Sequence, residues 1–182
     1  YFPVPKKNII INIASQKKEI RQESINQIKK SINFSKKINA KLYTFHPGFL
    51  TDPDGTNQSD KNYDFLWRKD LSNNKNYKHA WKNMTASIKK IIIFAKKKGV
   101  KIAIETEGSI NASGHLLMQQ PSEFLKFKKI FSKNDIGINL NIGHLNLASK
   151  VFNFDKIKFV KQIENYIVAM ELSHNSGKND DH

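Results

Sequence analysis

One unit recurs along this chain: a lysine-rich amphipathic segment, a short turn, four to six apolar residues, then a polar group. The polar endings are Thr44-Phe45-His46-Pro47-Gly48, Ile104-Glu105-Thr106-Glu107-Gly108, Asn141-Ile142-Gly143-His144 and Glu171-Leu172-Ser173-His174-Asn175. Few folds accept that alternation. The apolar runs are short, near-continuous strands of the kind buried on both faces of a parallel sheet, and the segments between them have helical periodicity. Ile25, Ile28 and Ile32 predict a helix over 19–37, and Trp81, Met84, Ile88, Ile91, Ile92 and Ala95 another over 77–98, with Gly99 as its stop. Pro121 marks the first turn of a third helix that carries Phe124, Phe127 and Phe131. A fourth spans 155–164, with Ile157, Val160 and Ile163 expected to face inward. Strands are expected over 40–45, 100–104, 136–142 and 166–172. No linker divides the chain, so residues 1–182 read as a single α/β domain. The one long irregular stretch, 48–76, is polar and turn-rich around Asp52-Pro53-Asp54-Gly55, and reads as a lid or a surface insertion.

Composition narrows the chemistry. With 182 residues and 38% hydrophobic content the chain can build a core, and the absence of cysteine excludes disulfides and thiolate metal sites. Apolar runs such as 9–11 and 91–95 are too short to span a bilayer, and residues 1–7 do not resemble a signal peptide. The expectation is a cytoplasmic protein with no membrane partner. A net charge of +15 invites a polyanion such as DNA, but the lysines are scattered over helix faces, which favours a solvated basic surface. The chain starts at Tyr1 rather than Met and stops at His182, inside a loop that reads as functional, so a fragment is expected.

Polar groups at successive strand carboxyl ends are how parallel α/β folds assemble active sites. His46, Glu105, His144, Asp180 and His182 offer imidazole and carboxylate groups, a mixture suited to Zn²⁺, Mn²⁺ or Fe²⁺. Asp180 and His182 lie two apart and can face one centre on an extended loop. Glu105 ends a strongly apolar strand, where a carboxylate needs a cation or donors. Taken alone, His46 could cap the turn before Pro47, and His174 could be core or a neighbour of ligands. His79 and His115 are expected to be incidental, and Trp67 and Arg68 are ordinary exposed loop residues that could contact a substrate.

Four segments resemble the xylose isomerase-like TIM-barrel superfamily, which includes endonuclease IV and many sugar-phosphate isomerases and epimerases. They are Ile10-Ile11-Asn12-Ile13-Ala14-Ser15, Phe45-His46-Pro47-Gly48, Ile104-Glu105-Thr106-Glu107-Gly108, and the stretch 139–144 followed by 171–182. The resemblance implies a (β/α)8 TIM barrel. About five β/α units are counted here, so the expectation is an incomplete barrel, or a half-barrel completed by another chain. It also implies that Glu105 is the catalytic or bridging glutamate, and that His46, Glu105, His144, Asp180 and His182 are metal ligands, with Glu171 a further candidate ligand. Asn141, His174 and Asn175 would contact substrate. This chain departs from the pattern at Asn141, where the family usually has an aspartate ligand. It departs again at Glu171, where histidine is usual, and at Lys6, near another usual histidine. A full trinuclear zinc cluster is therefore not expected.

Three functions stay open. The first is a sugar or sugar-phosphate isomerase or epimerase that uses a divalent metal (Zn, Mn or Fe) and no nucleotide cofactor, working through an enediolate. The second is an endonuclease IV-like enzyme acting on abasic DNA. The third is a degenerate barrel that binds sugar without turnover. Sheet edges left open by an unclosed barrel would favour a homo-oligomer.

Overall fold

The computed structural model describes residues 4, 9–58, 63–67, 73–110 and 115–177. In chain order the elements are α1 (Lys18–Lys37), β1 (Leu42–Phe45), β2 (Thr56–Gln58), β3 (Tyr63–Phe65), α2 (Asn74–Lys98) and β4 (Lys101–Glu105). They continue with α3 (Pro121–Ile130), β5 (Gly137–Asn141), α4 (Ile142–Val151), α5 (Lys156–Ile163), a 3-10 turn (Glu164–Tyr166) and β6 (Ile167–Glu171). Strands β1, β4, β5 and β6 form one parallel sheet in that order, with β1 and β6 as its edges among the described residues. The expected count of about five units thus meets four parallel strands; residues 9–12 join no ladder.

The helical spacings work as their periodicity requires. Helix α1 buries Ile25, Ile28 and Ile32, and α2 buries Met84, Ile88, Ile91 and Ala95. Each such side chain withdrawn from water contributes roughly 1.5–3 kcal/mol before conformational costs. Gly99 ends α2 in the left-handed region (φ +66°), its N–H returning to the carbonyls of Ala95 and Lys96. Pro121 opens α3, and the Glu123 carboxylate accepts from the backbone N–H groups of Gln119 and Gln120 at 2.8 and 2.9 Å.

The structure corrects four expectations. First, the strands are less uniformly apolar than they read. Alternation along β4 and β5 separates Ile102, Ile104, Ile138 and Leu140, which join the hydrophobic core, from Ala103, Glu105, Asn139 and Asn141 on the opposite face. Both faces of β5 are buried, one of them polar. Second, Ile157 is not inward but 66% exposed. Phe159, at 3%, takes the inward position with Ile163 four residues on, and packs edge-on to Phe124. Third, residues 142–151 form helix α4, so His144 lies in a first helical turn rather than at a strand end. Asn141 is both the last residue of β5 and the N-cap of α4, accepting from the His144 N–H at 3.1 Å, so the chain passes from strand to helix without a loop.

Fourth, the 48–76 stretch is not wholly irregular. It holds the antiparallel hairpin β2–β3, and Phe65 and Trp67 pack against Phe49 with ring centroids 5.0 and 5.1 Å away. Trp67 is therefore not a free surface aromatic. It also stacks on His115 at 4.7 Å, and His115 is buried. Burial holds the His115 imidazole below its ordinary pKa. Arg68 lies outside the described residues. Among the described residues no helix is long and apolar enough to cross a membrane.

Candidate functional site

The parallel register brings the polar strand ends together. Phe45, just before His46, aligns with Ile104, just before Glu105; Glu105 aligns with Asn139, and Asn141 with Glu171. Side chains two apart on one strand share a face, so Glu105, Asn139, Asn141 and Glu171 project to the same side of the sheet. Glu105 and Asn141 are 5% and 2% exposed.

Glu105 is enclosed by donors. Its Oε1 accepts from Asn141 Nδ2 at 3.0 Å and lies 3.3 Å from His144 Nδ1; its Oε2 lies 3.8 Å from His46 Nε2. Burial alone would raise the carboxyl's pKa. The His144 hydrogen bond, the His46 charge and the Asn141 amide outweigh it and hold Glu105 below the usual carboxylate range. His144 Nδ1 also reaches the Thr106 carbonyl at 2.8 Å. Both partners are pure acceptors, so this nitrogen carries the proton.

Glu107 is the residue the sequence reading passed over. It is 7% exposed, and its Oε1 accepts from His46 Nδ1 at 2.7 Å. That carboxylate, assisted by Glu105 and opposed by burial, raises His46 to about 9. His46 is thus an imidazolium near neutral pH. The signal was present in the sequence, since Glu105 and Glu107 are separated by two in Glu-Thr-Glu, and an extended chain returns to the same side at that spacing. Thr106 between them ties the two strand ends together. Its Oγ1 accepts from the Asn141 N–H at 2.9 Å, and its N–H donates to the Asn139 carbonyl at 3.0 Å. Gly108 lets the chain after β4 pass against α4, where a Cβ would meet His144 backbone atoms at 2.3–2.8 Å.

The remaining expected residues are distributed differently. Glu171 accepts from Asn139 Nδ2 at 2.5 Å and from Asn141 Nδ2 at 3.3 Å. Asn175 is buried, donating to the Gly143 carbonyl at 3.0 Å and accepting from Asn146 Nδ2 at 3.0 Å, so its amide braces the start of α4. His174 is exposed. Asp180, His182 and Lys6 lie outside the described residues.

The described residues do not fit a divalent metal as they stand. Among them no group of three or more His, Asp or Glu side chains converges as ligands. Asn141 turns N–H groups, not lone pairs, toward Glu105 and Glu171, and both Glu171 oxygens already accept from amides. His46 Nδ1 is held by Glu107 and His144 Nδ1 by Thr106, which fixes each ring and leaves its Nε2 as the second nitrogen, so the misfit rests on Asn141 and Glu171 rather than on the histidines.

Comparison with known proteins agrees with this architecture. The profile of the xylose isomerase-like TIM barrel family matches residues 2–182. An uncharacterised protein of Methanocaldococcus jannaschii is 22% identical over 175 residues, covering 94% of this chain and 50% of that protein. The chain superposes on a D-tagatose 3-epimerase-like protein with a TM-score of 0.71 at 21% identity, covering 97% of this chain and 56% of the other. A D-psicose 3-epimerase of Clostridium cellulolyticum H10 gives 0.61 at 15% identity, over 88% and 47%. The chain thus spans about half the length of these relatives. Parallel strands with helices between them, polar groups gathered at the strand carboxyl ends, and a profile match over almost every residue place this chain in the xylose isomerase-like TIM barrel family.

Proposed function

We propose that the chain carries the reacting face of a sugar or sugar-phosphate isomerase or epimerase. One observation carries the reading: a buried carboxylate held ionised, Glu105, lies 3.8 Å from the imidazole of His46, which is held protonated. Such a pair suits proton transfer next to a carbonyl. Glu105 would take the proton from the carbon beside the substrate carbonyl, the C–H electron pair becoming the C=C of an enediolate. His46 Nε2–H would stabilise the oxygen that gains charge. Return of that proton by Glu105 to the former carbonyl carbon gives an isomer, whereas an epimer requires Glu105 to keep it while a second acid, solvent water included, protonates the other face of the carbon. Glu107 fixes the ring and its charge, and His144 orients Glu105. The epimerases among the structural neighbours support a small sugar as substrate.

The divalent metal expected from the sequence does not enter these steps, because the described residues do not fit it. The abasic-DNA reading leans on the net positive charge and on His144 together with Asp180 and His182, and the last two lie outside the described residues. Incubation with D-tagatose, D-fructose or L-ribulose in D₂O, followed by proton NMR, tests the proposal. Deuterium should enter beside the carbonyl of at least one of them, and Glu105→Gln should slow this on the order of 10²-fold or more. Exchange undiminished in Glu105→Gln, or none with any ketose, rejects it.

A further inference from the structure

The amide of Asn141 fills the space between two carboxylates. Its Nδ2 donates to Glu105 Oε1 at 3.0 Å and to Glu171 Oε2 at 3.3 Å. Its Oδ1 is already engaged, accepting from the His144 N–H at 3.1 Å. The orientation is fixed by these partners. A flipped amide would set its oxygen against two carboxylates and its N–H groups against a backbone donor. A divalent cation shared by Glu105 and Glu171 needs their oxygens at roughly 2.0–2.6 Å, and the Asn141 nitrogen stands in that place. Asn139 adds a second amide, taking the remaining oxygen of Glu171 at 2.5 Å.

We propose that Asn141 is the internal substitute for a cation, and that this one side chain makes the centre hydrogen-bonded and metal-free. The amides bring donors without charge, and His46 beside Glu105 brings the positive charge. Asn141→Asp changes this with almost no change of shape. The aspartate keeps an oxygen for the His144 N–H, so α4 retains its cap. Its second oxygen replaces the donor between Glu105 and Glu171. Aspartate there would set a third carboxylate against buried Glu105 and exposed Glu171, a repulsion that a bound cation relieves. The inference concerns the site of the proposed isomerase, but it is read from binding alone, so it stands or falls apart from turnover.

The full chain is stripped with a chelator, dialysed and titrated with Mn²⁺ alone, bound ion being read by electron paramagnetic resonance and calorimetry. The wild type should bind no stoichiometric Mn²⁺. Asn141→Asp should take up one ion per chain, on the order of 100-fold tighter, as an added ligand charge dictates. One tightly bound ion in the wild type, lost on Glu105→Gln, overturns the proposal. So does a folded Asn141→Asp that gains nothing. Should that variant unfold, the wild-type side-chain amide resonance of Asn141 decides. It should stay sharp as Mn²⁺ is added, and selective broadening would overturn the assignment.

Discussion

Thr106→Val isolates the bond that joins the ends of β4 and β5. Thr106 is 2% exposed; its Oγ1 accepts from the Asn141 N–H at 2.9 Å and faces the Asn141 carbonyl at 3.4 Å. Valine has the same branching and nearly the same volume, so no cavity opens and β propensity is unchanged. What changes is that a buried backbone N–H loses its acceptor. An unmet buried donor costs about 1–3 kcal/mol, and the enclosed setting of Asn141 places the expected loss near 2 kcal/mol. For a chain of this length that corresponds to a fall in Tm of about 4–8 °C. Urea denaturation followed by far-UV circular dichroism should show a lower midpoint with an unchanged slope. Thr106→Ser is the control: it keeps the hydroxyl and loses one methyl, worth about 0.8 kcal/mol. A valine variant as stable as wild type, or a serine variant less stable than the valine one, would refute the claim that this hydroxyl clamps the site.

Two further outcomes follow from the same geometry. Glu107→Gln removes the main cause of the elevated His46 pKa, so the His46 ring, followed by NMR, should titrate well below about 9 and near its ordinary 6.5. The folded pKa lies above the unfolded one, so this pair stabilises fully below about pH 6.5, and that contribution fades as pH rises through about 9. With 47% of the His46 side chain exposed, the amplitude is at most about 1 kcal/mol, and Glu107→Gln should abolish the decline. On α5, Phe159→Ala should cost roughly 3–5 kcal/mol and Ile157→Ala less than about 0.5 kcal/mol in chemical denaturation. Equal losses would reject the helix face assigned to these residues.

What the sequence made legible was whatever repeats. Helical spacing located α1, α2 and α3, because one apolar stripe must face the sheet for the whole length of each helix. The strand endings located Glu105 and His46, since buried apolar strands announce their polar termini. Short elements were harder. Helix α5 has two turns, and Ile157 and Phe159 both fit an inward stripe when only eight residues define it. Helix α4 was invisible because its cap, Asn141, is also the end of a strand, and a strand-to-helix junction without a loop leaves no punctuation to read. Glu107 was visible as a letter but not as a partner. Its role follows from the course of the chain after β4, where Gly108 lets the backbone pass against α4. Residue type alone also could not show which atom of Asn141 faces the carboxylates. That was settled by the competing demand of the His144 N–H.

The departures at Asn141 and Glu171 belong together when charge is counted. Glu105, Glu107 and Glu171 bring three carboxylates to one end of the sheet, and the scattered lysines that give the chain its +15 are absent from the described contacts of all three. The compensation is local. His46 balances Glu107, His144 and the Asn141 amide attend Glu105, and two amides attend Glu171. Aspartate at 141 beside this glutamate would leave a fourth carboxylate with no donor between the groups. Asparagine there is therefore the choice consistent with a glutamate at 171 when no metal is shared. The two positions should be coupled, and a change at either one should be felt at the other.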